Sequence, residues 1–256
     1  MLHISSEQLI IWINAFIWPL TRILGLIAMA PIFGNSAVPV RVKISFGVMI
    51  TLIVSPTLQN LPHTDPVSIA GMLILIQQFI IGVAMGFSIQ LVFAAVDMAG
   101  NLISMSMGLG FASFYDPQTR GSTPALSQFL TLMATMLFLS LNMHLTLLSA
   151  LVESFQTMPI GMDLSAHPGI WFHIANAGAV IFSSGLQMAL PVIAALLVTN
   201  IALGILTKAA PQLNLFGIGF PITMAVGFLM LMIIIPNLAA PIRQLFEMGI
   251  EGARLR

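Results

Sequence analysis

Four ionisable side chains sit inside or at the ends of long apolar runs: Arg22, Asp97, Glu153 and Lys208. A charge placed in hydrocarbon costs about 2.5–3.5 kcal/mol even on insertion scales, so an intramembrane charge often marks function. Interfacial snorkelling or a structural pair explains such residues equally well. The histidines, at 3, 63, 144, 167 and 173, form no i, i+4 pair that could grip a metal ion. With no cysteine there is no thiolate ligand and no cysteine nucleophile. A Gly-x-Ser-x-Gly elbow, a Walker A loop and a defensible pair of carboxylates are also missing. These residues predict neither an enzyme nor a protein that binds a cofactor or metal.

The chain that carries these charges is short of them. Only 6% of its 256 residues are charged, 58% are hydrophobic, and the mean hydropathy is +1.04. A soluble domain carries about 25% charged residues to solvate its exterior. Lipid, partner subunits or both must therefore cover this surface. Eight basic residues balance eight acidic ones, which argues against nucleic acid as a partner. Ala28-Met29-Ala30 looks like a signal-peptide cleavage site. Pro31 after the cut, Arg22 within the run and the lack of a basic leader make 9–33 a retained first span instead.

Apolar stretches at 9–33, 44–61, 67–96, 125–152, 171–206 and 215–240 are each long enough to cross a bilayer. Pro, Gly, Asn and Asp punctuate the gaps. Backbone groups in lipid must be satisfied within the segment, and the runs do not alternate as barrel strands do, so the fold class is all-α and polytopic. A helix from Val67 to Ala99 would run ~50 Å against a ~30 Å core. Such helices must tilt, bend, fold into a hairpin or be buried in protein. Arg41 and Lys43, Arg120, and Lys208 fall in alternate loops, as the positive-inside rule asks. Arg243, Arg254 and Arg256 break that pattern if all six stretches cross fully.

The segment from Gly82 to Pro124 is the richest in motifs. Gly82 and Gly86 make a small-residue face that lets a second helix approach, within the chain or from another subunit, and Gly100 follows in Ala99-Gly100-Asn101. Met98, Met105 and Met107 are adaptable side chains that suit either a deformable seal or ordinary core filling. Phe111 to Gly121, with Phe114, Tyr115, Asp116, Pro117 and Arg120, then breaks the apolar pattern. It reads either as a hydrophilic connection or as a re-entrant segment blocking a pore.

These motifs, in order along the chain, resemble the FliR/SpaR family of type III secretion export-apparatus proteins. The resemblance rests on Ala30-Pro31-Ile32-Phe33 and Val38 to Lys43, and on Gly86 to Asp116-Pro117 with Met107-Gly108-Leu109-Gly110-Phe111-Ala112. It continues through His144 to Gly161, Ala189-Leu190-Pro191-Val192, Ala210 to Asn214 and Ile218-Gly219-Phe220-Pro221, and weakens beyond Pro241. The flagellar branch is closer than the injectisome branch.

The resemblance implies an all-α gate subunit of long, broken helices and hairpins, assembled with FliP-like and FliQ-like proteins and associated with FlhB-like and FlhA-like ones. It implies one membrane-embedded domain over 1–256, with a FliP-like half at about 1–124 and a FliQ-like C-terminal part within about 125–256. Location in the bacterial inner membrane at the flagellar basal body follows, with much of the assembly on the periplasmic side. Unfolded flagellar proteins would be the cargo. The segment Gly108–Thr123 would plug the pore, with Met105, Met107, Gly108, Gly110, Phe111, Phe114, Tyr115, Asp116, Pro117 and Arg120 forming plug and gasket. A small-molecule secondary transporter is the rival from another class, since Gly- and Pro-broken spans suit it too. It would require an inverted repeat and a midplane polar site, and the sequence shows neither. A membrane scaffold without a pore is a third possibility.

Overall fold

Apolar runs rich in Leu, Ile, Met, Ala and Phe become helices here, because a helix satisfies every backbone group within its own segment. The computed structural model describes residues 6–58, 61–62, 64–109, 125–161, 169–210 and 215–254. Seven α-helices run through them: α1 (Ser6–Met29), α2 (Val40–Val54), α3 (Ile69–Ser106), α4 (Ala125–Ser140), α5 (Met143–Thr157), α6 (Gly169–Ala209) and α7 (Phe220–Ala253). No strand occurs among the described residues. Five of these helices are long and apolar enough to cross a membrane alone, and α4 with α5 makes a sixth crossing if that bent pair counts as one span. The chain is an all-α polytopic membrane protein.

Local chemistry sets the helix ends and repairs their defects. Pro19 inside α1 has no N–H for the carbonyl of Ala15, and the Ser55 hydroxyl donates to that carbonyl instead at 2.7 Å. Ser68 precedes α3, and its Oγ accepts the Gly71 N–H at 3.0 Å, an N-cap for the first turn. Between α4 and α5 the chain turns at Asn142, whose φ of 55° is in the left-handed region that Asn tolerates.

Three helices exceed a simple span. α3 has 38 residues, α6 has 41 and α7 has 34, about 57, 62 and 51 Å at 1.5 Å per residue. Pro191 lies within α6, and Pro236 and Pro241 within α7, without ending either helix. The expected single stretch 125–152 is instead two helices bent by 65°.

Two compact units divide the chain. The first comprises Met1–Leu91, Asn142–Ala177 and Glu247–Arg256, and the second Val92–Leu141 and Gly178–Phe246. In the first unit α1 crosses α3 at glycines. A Cβ on Gly25 would lie 2.6 Å from the Phe79 carbonyl oxygen, and one on Gly86 2.9 Å from that of Leu26. The second unit is centred on Phe93, Phe138 and Phe246, whose rings meet at 5.1–5.8 Å. Outward faces stay apolar: Ile205 is 67% exposed on α6 and Met232 76% on α7. Lipid or partner chains must cover them.

Candidate functional site

In the first unit, Asn14, Trp18 and Arg22 recur every fourth residue and so share one face of α1. All three are buried, as is Gln78 on α3. Arg22 is enclosed and does not snorkel. Its Nε donates to Gln78 Oε1 (2.8 Å), Nη1 to Ser154 O (2.8 Å) and Ser154 Oγ (3.0 Å), and Nη2 to Met158 O (2.8 Å). The Phe155 ring lies 4.3 Å from its guanidinium carbon. No carboxylate pairs with Arg22 among the described residues. Its counter-charge is instead the C-terminal end of α5, where the last carbonyls and the helix dipole present partial negative charge. Nearby, Asn14 Nδ2 donates to Pro62 O (3.2 Å) and Thr64 O (2.9 Å), tying α1 to the connection before α3.

Asp97 occupies the second unit, near the end of α3. Its carboxylate accepts from Ser127 Oγ and, at 3.0 Å, from Asn101 Nδ2. One turn on, a Cβ on Gly100 would collide with the Ser127 backbone, so α3 and α4 touch main chain to main chain here. Asp97→Leu leaves the Ser127 hydroxyl without its acceptor and is expected to destabilise the chain by about 1–3 kcal/mol. Asp97→Asn keeps an acceptor and should lose little. Thermal unfolding of the detergent-purified assembly reads the difference, and equal behaviour of the two variants would refute this account.

Met105 and Met107 are two residues apart and have opposite surroundings. Met107 is buried, and a Cβ on Gly227 of α7 would lie 2.6–2.8 Å from its side-chain atoms. Met105 is 70% exposed. Gly108 follows with φ 83°, a conformation that favours glycine where α3 stops. Gly110, Phe111, Phe114, Tyr115, Asp116, Pro117 and Arg120 lie outside the described residues. Gly82 and Gly86 pack on α1, and Gly100 on α4. Lys208 is exposed in the last turn of α6, where a cation complements the helix dipole.

Sequence reasoning missed the partners of Arg22. The recurrence of polar Asn14 and Arg22 around Trp18 was a usable signal for a buried polar face. Gln78 and Ser154 gave none locally. Among the described residues no His, Asp or Glu cluster could hold a metal ion. An open cleft of about 350 Å³ beside residues 28–31, 34–36 and Gln90 contains no ionisable side chain.

The helices and the arginine-capped junction define a polytopic helical membrane protein with a buried polar joint. The chain belongs to the bacterial export proteins, family 1, whose pattern matches residues 13–249. It is 45% identical over 251 residues to the flagellar biosynthetic protein FliR of Pectobacterium carotovorum subsp. carotovorum, covering 96% of this chain and 94% of that protein. Identity to the flagellar biosynthetic protein FliR of Escherichia coli (strain K12) is 43% over 249 residues, with 96% and 94% covered. For the Bacillus subtilis (strain 168) protein of the same name it is 31% over 245 residues, with 94% and 93% covered. The FliR-type resemblance read from the sequence is borne out, and the chain is a membrane component of a flagellar-type export apparatus.

Proposed function

We propose that this chain is a passive subunit of the flagellar type III export gate, contributing to the pore through which unfolded flagellar proteins leave the cell. In this reading it works with FliP-like, FliQ-like, FlhB-like and FlhA-like proteins in the bacterial inner membrane, with much of the assembly on the periplasmic side. Its first part, about 1–124, plays the FliP-like role, and its C-terminal part the FliQ-like role. The segment Gly108–Thr123 closes the pore at rest. The observation that carries this reading is the end of α3: Met105 is largely exposed beside Gly108, at the root of the segment that would form the plug. An exposed, unbranched thioether suits a seal that must deform around chains of any sequence. Met107, held against Gly227, anchors that root.

Deleting residues 111–121 tests the plug. The assembly should still form, because the contacts of Asp97, Gly100 and Met107 lie outside the deletion, and small-solute leakage through the inner membrane should rise. An assembled complex with unchanged leakage would sink the plug role.

A further inference from the structure

Within the first unit, helix α1 ends without the donors that would close it. Ile27 O would take the N–H four residues on, but that residue is Pro31, which has none. The backbone bonds of the turn run from Ala30 N to Leu26 O and from Gly34 N to Ala30 O. Among the described residues they pass over the carbonyls of Ile27, Ala28 and Met29, so the end of α1 keeps its acceptors open. These oxygens crowd Gly34. A Cβ there would stand 2.6 Å from Ala28 O, 2.8 Å from Ala30 O and 3.1 Å from Ile27 O. The helix dipole adds partial negative charge at the same place.

The cleft of about 350 Å³ opens on this end of α1. α3 packs against the last turn of α1, where a Cβ on Gly86 would lie 2.9 Å from Met29 Cβ and 3.0 Å from Ala30 N. Gln90 follows one turn later on the same face and so lines the cleft, half-buried. Asn35 and Ser36, both exposed, line it from the connection after α1. That connection is fixed from its other side. Phe33 stacks on Phe46 of α2 with ring centroids 5.5 Å apart, and Lys43 Nζ donates to Gly34 O at 2.9 Å. Asn35 Oδ1 accepts the Ala37 N–H at 2.9 Å. The cleft is therefore built by the chain itself, offers acceptors and carries no charged side chain.

We propose that this cleft receives the Arg or Lys side chain of a neighbouring subunit, which caps α1 from outside. The chain uses the same chemistry on itself. Arg22 donates to Ser154 O and Met158 O at the end of α5, and Lys43 to Gly34 O. A carboxylate in the cleft would face carbonyl oxygens and the negative end of a dipole. An apolar group would cover the acceptors and leave them unsatisfied. A cation meets both demands. The inference rests on the reading of this chain as one subunit of a hetero-oligomeric gate, and it is independent of the plug.

Ser36→Lys and Ser36→Glu differ chiefly in the sign of the charge placed in the cleft, and Gln90→Lys and Gln90→Glu repeat the comparison from α3. Ser45→Lys and Ser45→Glu, exposed on α2, serve as controls. Each full chain is expressed with the other gate subunits, and native mass spectrometry of solubilised membranes measures the fraction found in the assembled complex. That amount is divided by the total chain in the membrane, so poor folding does not count as poor assembly. At 36 and 90 the Lys variants should assemble at least about tenfold less than the Glu variants, because like charges at an interface repel. At 45 the sign should not matter. Equal assembly of Lys and Glu at 36 and 90 overturns the proposal: both intact means that water alone fills the cleft, and both lost means a neutral occupant. Better assembly with Lys means an acidic partner and overturns it too, as does an equal sign effect at 45. A parent chain that purifies alone removes the subunit reading and this proposal with it. A parent complex that assembles and whose variants ignore the sign removes this proposal only.

Discussion

Arg22→Met will remove most of the protein from the membrane. The substitution keeps much of the side-chain volume but leaves Gln78 Oε1, Ser154 Oγ and Met158 O without the guanidinium donor, and Ser154 O with only the Met158 N–H. Each buried acceptor left unsatisfied costs about 1–3 kcal/mol, and several together are a large part of the whole stability of a folded domain. Arg22→Lys should recover little. The guanidinium is a planar fork that reaches α3 and the end of α5 at once, whereas an ammonium is a single point with three donors. Two measurements check this: the steady-state amount of the chain in membranes, and thermal unfolding of the detergent-purified assembly. If the Met variant accumulates and unfolds like the parent, Arg22 does not hold the junction.

A single methyl group on α3 is expected to do comparable damage. In Gly82→Ala the new Cβ would collide with the Arg22 carbonyl oxygen and lie 2.9 Å from Leu26 N. Both are backbone atoms of α1 and cannot rotate away, so the two helices must separate. Overpacking of this kind costs about 1–3 kcal/mol and sometimes more. Here it would also move Arg22 away from α5. The same substitution at Gly204 has the opposite sign. Nothing lies within 4 Å of a Cβ there, and Ala favours an exposed helix over Gly by about 0.5–1 kcal/mol. Unfolding midpoints of the two variants, measured side by side in detergent, should move in opposite directions. A Gly82→Ala midpoint at or above the parent value would show that α1 and α3 are not packed main chain to main chain at this point.

Some helix boundaries were legible and others were not, for physical reasons. The long run beginning near Val67 predicted a helix too long for one span, and α3 is that helix, continuing to Ser106. The run 125–152 looked like one crossing because its composition stays apolar throughout. The break depends on one residue, Asn142, adopting a left-handed conformation, and no proline or glycine announces it. The run 215–240 seemed to end where charges begin, yet α7 passes Pro236 and Pro241 and continues to Ala253. Propensity did not stop it, because Leu245, Phe246 and Ile250 are buried there and packing overrides local preference.

The sequence alone determined the solvent and therefore the kind of backbone. With 6% charged residues the chain cannot solvate itself, and in lipid an isolated run of apolar residues satisfies its peptide groups by forming a helix. Composition and ordered motifs were enough for the all-α membrane class and the export family. Only the tertiary structure decided what each polar residue does. Arg22 takes its acceptors from residues 56, 132 and 136 positions away, and no local pattern encodes such a distance. Met105 and Met107 are alike in type and nearly adjacent, but a helix turns about 200° between them. One is exposed and the other buried, and which is which depends on α7 reaching Met107. Local forces chose the helices; the distant partners that each face meets set the roles of its residues.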